Sequence, residues 1–364
     1  MRIGLGTCLL VLAGCAPALV HPTRPPPPDG AFVAGYHPYW TGDAWTAYPF
    51  DVLDRLYFFE TEARPDGTLE RHGWPSEWSD LTAAARAAGV GVAPTVSMHD
   101  EDGFEVLFAD PDRVERLVES IINLVDEVPD VSGVHLDFEV FRRVDPRARD
   151  GFTGFVVYLA DELRRVHPGV ALSVFTLAFD GDDVYNERAL GRVADYLVVQ
   201  GYDYHSPGSE SAGPTAPTGG WRGVNWSSVI RRFDDFGVPR SKIVMSVPLF
   251  GYEWPVSSDE RGAEASGAGT TIPLTGPGDV LTDLPRARTM AERYGTERDE
   301  ESGSVWYRYQ TADGWRQGWF DDDESLRRKY AFVKREGLGG IAIFPLAYGD
   351  DGVWSGLRAA FPPR

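Results

Sequence analysis

Eight short apolar runs, separated by longer amphipathic stretches, recur between Phe32 and Pro345. They span 32–37, 55–60, 90–97, 132–139, 170–177, 195–203, 242–249 and 339–345. Alternation of strand and helix is the pattern of a parallel sheet, because each crossover lays a helix over the strands it joins. Eight such units are the number that closes the sheet on itself, so the fold class expected is α/β, as a (β/α)8 TIM barrel. The connections carry helix signals of their own. Asp110-Pro111 offers an N-cap and an N1 proline, followed by Val114, Leu117, Val118, Ile121 and Val125 on one face. A second helix places Phe152, Phe155, Val156, Leu159 and Leu163 at the same spacing and ends near His167-Pro168-Gly169.

The connection between the seventh and eighth runs is too long for one helix. Residues 256–304 are rich in Gly, Ser, Thr and Glu, with one helix expected over 285–294. Beyond them, Trp306-Tyr307-Arg308-Tyr309 and Trp315-Arg316-Gln317-Gly318-Trp319 flank an Ala-Asp-Gly turn, a hairpin signal. This segment, at about 255–318, reads as a small α+β insertion in a single domain spanning 31–364.

The first thirty residues stand apart. Arg2 precedes the apolar stretch from Ile3 to Leu12, which ends in Leu12-Ala13-Gly14-Cys15. That string resembles a bacterial lipobox, so 1–14 reads as a signal peptide and Cys15 as the lipidated residue. The Pro-rich segment 15–30 then reads as a stiff tether between lipid and domain. Cys8 lies inside the signal, so the exported chain would keep Cys15 alone and form no internal disulfide. An exported, membrane-anchored monomer is the expectation. The formal net charge of -20 excludes nucleic acid as a natural partner, since a field of that sign repels phosphate.

The fourth run, Ser132-Gly133-Val134-His135-Leu136-Asp137-Phe138-Glu139, carries the most chemistry. Strand side chains alternate, so Val134, Leu136 and Phe138 share one face while His135, Asp137 and Glu139 share the other. In a barrel the polar set points into the lumen and climbs towards the C-terminal mouth, where barrel active sites sit. Three ionisable groups in a row are costly to bury without a use, which marks them as functional candidates.

This strand resembles the catalytic strand of glycoside hydrolase family 18, the chitinases and related N-acetylglucosaminidases, whose pattern is Asp-x-x-Asp-x-Asp-x-Glu. Glu139 matches its proton donor and Asp137 the neighbouring carboxylate, while Ser132 and His135 stand where the pattern has its first two Asp residues. Other strand ends resemble the family in the right order: Gly35-Tyr36-His37-Pro38-Tyr39-Trp40, Gln200-Gly201-Tyr202-Asp203, Pro248-Leu249-Phe250-Gly251-Tyr252-Glu253-Trp254 and Gly339-Gly340-Ile341-Ala342-Ile343-Phe344. The replacement of the second Asp places the chain nearer the spore-cortex-hydrolase-like branch.

The resemblance implies a retaining, substrate-assisted reaction on N-acetylglucosamine-containing glycans, with no cofactor and no metal. Glu139 is the implied general acid and base. Asp137 and Tyr202 would hold the acetamido group, with support from Asp203, Gln200 and His135, the last as a hydrogen-bond donor to Asp137. Tyr36, Trp254 and Phe344 are the aromatic candidates for stacking on sugar faces. The residues also admit three other readings: a catalytically silent sugar-binding relative, a metal site drawn from His37, His99, His135 and His205, and a retaining glycosidase using Asp137 as nucleophile. The last has poor geometry, because residues two apart on a strand point the same way.

Overall fold

A computed structural model describes residues 31–128, 131–276 and 286–363 of the chain. The expected signal peptide, Cys15 and the tether to residue 30 lie outside the described residues. The eight runs form eight parallel strands: β1 (Phe32–Pro38), β2 (Arg55–Ala63), β3 (Gly91–Met98), β4 (Gly133–Phe138), β5 (Ala171–Thr176), β6 (Tyr196–Val199), β7 (Ile243–Pro248) and β8 (Gly340–Phe344). Each pairs with its sequence neighbours, and β1 closes the ring by pairing with both β2 and β8, with Phe32 opposite Gly340 and Ala34 opposite Arg55. The α/β barrel expected from the pattern is therefore formed.

Helices pack around it where the sequence places them. Asp110 accepts from the Asp112 N–H at 3.0 Å and opens the helix Pro111–Asp126, which buries Leu117, Val118, Ile121 and Val125. The helix Pro146–Val166 starts on an Asp145 cap and ends at His167, burying Phe152, Phe155, Val156, Leu159 and Leu163. Phe138, on the outer face of β4, lies 5.4 Å from Phe108 and 5.5 Å from Phe152 between ring centroids. Outward-facing β4 side chains thus anchor the strand to its helices and leave the inward face free for chemistry.

Two strands depart from expectation. The sixth ends at Val199 rather than near 203. Beyond it, the Gly201 N–H turns to the Ser246 hydroxyl at 3.0 Å, and a Cβ at Gly201 would lie 1.9 Å from the Ser246 carbonyl oxygen. Only glycine fits there, and the chain leaves the sheet at that point. The second strand runs on to Ala63, where it pairs antiparallel with Leu69–Glu70.

Between β7 and β8 stands a five-stranded antiparallel sheet. Its spatial order is Thr270–Pro273, Phe250–Val256, Gly314–Phe320, Val305–Thr311 and Glu297–Arg298. Val305–Thr311 and Gly314–Phe320 make the hairpin, with Trp306 opposite Trp319. The accompanying helix spans Ala287–Tyr294, so its described part begins two residues after the expected start at 285. The insertion begins against the barrel mouth, because Phe250 follows β7 after a single intervening residue, Leu249.

Candidate active site

The inward face of β4 rises from a sealed floor to an open mouth. His135 is fully buried, Asp137 is 4% exposed, and the side chain of Glu139 is 21% exposed. Glu139 is the first residue past the strand, and its N–H still bonds the Met98 carbonyl of β3 at 3.0 Å. Tyr185, buried 47 residues away from Phe138 in sequence, donates to the Phe138 carbonyl and accepts from the Val140 N–H at 3.3 Å. The backbone on both sides of Glu139 is therefore held by one hydroxyl.

The electrostatics of the pair follow from burial. Desolvation pushes the Glu139 carboxyl up to about 7; Asp203 and Glu60 add to the rise, and the positive field of His99 opposes it. Asp137 is raised well above the carboxylate range by burial first and by the Glu139 charge second. Two neighbouring carboxyls in this setting do not both ionise at neutral pH, so a proton is available where an acid needs one. Asp137 Oδ1 is buried and has no hydrogen-bond partner in the protein. A buried acceptor without a donor costs stability, and it invites a donor from a ligand.

Tyr202 and Asp203 reach the mouth from the loop after β6. Asp203 adopts φ +65°, a left-handed conformation that Asp tolerates better than most residues. Tyr252 of the insertion donates to Asp203 Oδ1 at 2.5 Å, while burial raises the Asp203 carboxyl to about 6. The Tyr202 ring stacks near Phe344, with centroids 6.1 Å apart and planes 24° apart. Phe344 is half-buried at the end of β8 and meets Tyr36, Phe59 and Phe250 edge-on, so it forms an aromatic floor at the strand ends. Gln200 is buried at the end of β6, directly before the turn to Tyr202.

Three sequence expectations need correction. His135 does not bond Asp137: its Nε2 meets the Tyr36 hydroxyl at 2.8 Å and its Nδ1 meets Ser173 Oγ at 2.9 Å. Alternate residues on a strand stand about 7 Å apart, and the imidazole extends across the lumen rather than up it. Burial lowers its pKa to about 3, so the ring is neutral and one of its two contacts is donated while the other is accepted. Tyr36 is 2% exposed beneath Phe344 and has no face free for a sugar; it supports the floor. Trp254 is fully buried, since the loop through Gly269 lies against its indole, and it too is unavailable for stacking.

Ser132 lies at the far end of β4, where its hydroxyl accepts from Arg55 Nε at 3.2 Å, away from the acid. Of the candidate metal histidines, His37 meets Tyr48, His135 meets Tyr36 and Ser173, His205 meets the Pro214 carbonyl, and His99 meets Glu60. Among the described residues no three His, Cys, Asp or Glu side chains converge as a metal site.

Sequence reasoning missed Glu60, Tyr185, Ser173 and Tyr252 as parts of the site, and placed His99 only among possible metal ligands. Glu60 was the most findable, because it closes the second expected strand and barrel chemistry gathers at strand ends.

Comparison with known proteins agrees with this geometry. Residues 68–349 match the family described as Glycosyl hydrolases family 18. A Bacillus subtilis protein, YdhD, named as a sporulation-specific glycosylase, is 30% identical over 330 residues, covering 85% of this chain and 69% of that protein. The Bacillus cereus spore cortex-lytic enzyme SleL shares the fold at a TM-score of 0.72 and 19% identity, over 91% of this chain and 74% of that one. A Cycas revoluta family 18 chitinase mutant solved with (GlcNAc)4 does so at 0.76 and 20% identity, over 91% and 99%. This chain belongs to glycosyl hydrolase family 18 and is a glycoside hydrolase.

Proposed function

We propose that the protein cleaves β-linked, N-acetylglucosamine-containing glycans by a retaining, substrate-assisted mechanism. The observation that carries the reading is the buried, unpartnered Oδ1 of Asp137 beside Glu139, a carboxyl raised to about 7 in the same buried pair. An acetamido N–H would satisfy that oxygen, and its carbonyl oxygen would then be turned towards C1 of the same sugar. Glu139 gives its proton to the leaving glycosidic oxygen as the carbonyl oxygen bonds to C1 and the glycosidic bond breaks. Glu139, now a carboxylate, takes a proton from the water that opens the resulting oxazolinium ring. Asp137 balances the positive charge on that ring, Tyr202 bounds the acetamido pocket, and Phe344 underlies the sugar. Gln200, Asp203 and His135 support the arrangement.

Within this class, chitin-type oligomers, peptidoglycan and N-glycans all present the required group. The lipobox-like Leu12-Ala13-Gly14-Cys15 supports an exported enzyme anchored at a membrane, close to cell-wall glycans. The test is product release from chitooligosaccharides, purified peptidoglycan and a high-mannose N-glycan, each beside Glu139→Gln. Release from at least one, lost in that variant, is the expected result. Glycan binding without release from any would point instead to a silent carbohydrate-binding protein.

A further inference from the structure

His99 stands between two carboxylates. From the end of β3 its Nε2 lies 3.3 Å from Glu60 Oε2, and its Nδ1 lies 3.8 Å from Glu139 Oε1. Glu60 closes this arm from β2, where it is buried and its Oε2 also accepts from the Ser97 hydroxyl. Between two ionised carboxylates, as after Glu139 has given up its proton, a neutral imidazole with one N–H and one lone pair would set that lone pair against one of theirs. The doubly protonated ring satisfies both sides.

We infer that His99 is held as an imidazolium between Glu60 and Glu139, and that its fixed positive charge controls how readily Glu139 releases and regains its proton. The inference rests on the reading of Glu139 as general acid and base. His99 is a positioning residue here, acting on the substrate only through Glu139.

The groups facing His99 and Glu139 come from three strands. Glu60 on β2, Asp137 and Glu139 on β4, and Asp203 after β6 are all carboxyls. Hydrogen bonding to Glu60 raises the His99 imidazole to about 9, with the charges of Glu139 and Asp137 adding to it and partial burial opposing it. Burial and the surrounding carboxyls would otherwise bind the Glu139 proton too tightly for the carboxylate left after proton donation. A cation 3.8 Å away offsets them. Acid in the first half of the cycle and base in the second need that balance.

The experiment combines two readouts. Histidine NMR on the labelled full-length protein follows the His99 ring, which is expected to stay charged through pH 8 and to titrate lower in Glu60→Gln. The pH dependence of kcat/KM is then compared between the wild type and His99→Gln, with melting curves confirming that the variant folds. Loss of the cation is expected to move the basic limb up by about 1 pH unit. A ring that titrates near or below 6.5, or a limb that stays in place, overturns the inference. Should the wild type release no product from any glycan, the hydrolytic reading fails by itself. Carbon NMR of the Glu139 carboxyl in the wild type and His99→Gln then decides the inference: an upward move supports it, and an unmoved carboxyl overturns it.

Discussion

The phenol of Tyr185 clasps the backbone around Glu139, donating to the carbonyl one residue before it and accepting from the N–H one residue after it. Proton donation demands that the carboxyl be held within a fraction of an ångström of the leaving oxygen, and here a single hydroxyl fixes its carrier. Tyr185→Phe should keep the fold but strand two buried polar groups. A loss of about 1–3 kcal/mol in denaturant unfolding is expected. So is a fall of about tenfold in kcat, with KM little changed.

His135 predicts an acid-sensitive barrel. Its folded pKa, about 3, lies below the ordinary imidazole value of 6.5, so the native state binds its proton less tightly than the unfolded chain. The stability it contributes is present above pH 6.5 and is lost as the pH falls towards 3. At pH 5 the loss amounts to about 2 kcal/mol from this group. His37, lowered likewise to about 3 by burial, acts in the same direction. His135→Asn removes one titration, so its stability should fall less steeply than the wild type's between pH 6.5 and 4. Urea unfolding at stepped pH measures the difference. The same variant is expected to retain hydrolytic activity, because His135 supports the floor rather than Asp137.

Glu139 has the opposite sign. A carboxyl raised to about 7 contributes stability below its unfolded value near 4.5 and loses that contribution as the pH rises through 7. Glu139→Gln should therefore be more stable than the wild type at pH 8, by about 3 kcal/mol, and show little difference at pH 4.5, as melting curves at the two pH values would read. Its kcat should fall by about 100-fold or more. A gain in stability paired with a loss of activity is the mark of a site where burial is retained for chemistry.

Tyr252 tunes the same acid through Asp203. Its hydroxyl bond keeps the Asp203 carboxyl lower than burial alone would. In Tyr252→Phe, Asp203 should hold its proton to higher pH, and its negative field on Glu139 should weaken. The basic limb of kcat/KM is then expected to move down, opposite to the shift for His99→Gln. Parallel pH profiles of the two variants check the signs.

The contrast between β4 and its surroundings shows how far the chain could be read. Alternation in Val134 to Glu139 was sufficient to place Asp137 and Glu139 on the inner face, since period and burial are local properties. The eight apolar runs set the barrel for the same reason. Trp254 was misread because its burial depends on Gly269, which arrives from a loop without a periodic pattern. Tyr185, Glu60 and Tyr252 reach their partners across 37 to 49 residues, and nothing local in the sequence announces such meetings. His135 was correctly placed facing inwards, but its partners, Tyr36 and Ser173, lie on two other strands.

The most direct test of the central claim removes the substrate's own nucleophile. Hydrolysis rates on an aryl β-chitobioside and on its de-N-acetylated counterpart compare two substrates that differ only at the acetamido groups. If Asp137 orients an acetamido group for attack on C1, kcat/KM should drop by on the order of 100-fold or more when that group is absent. Equal rates on the two would contradict the account and return the role of nucleophile to a protein carboxylate.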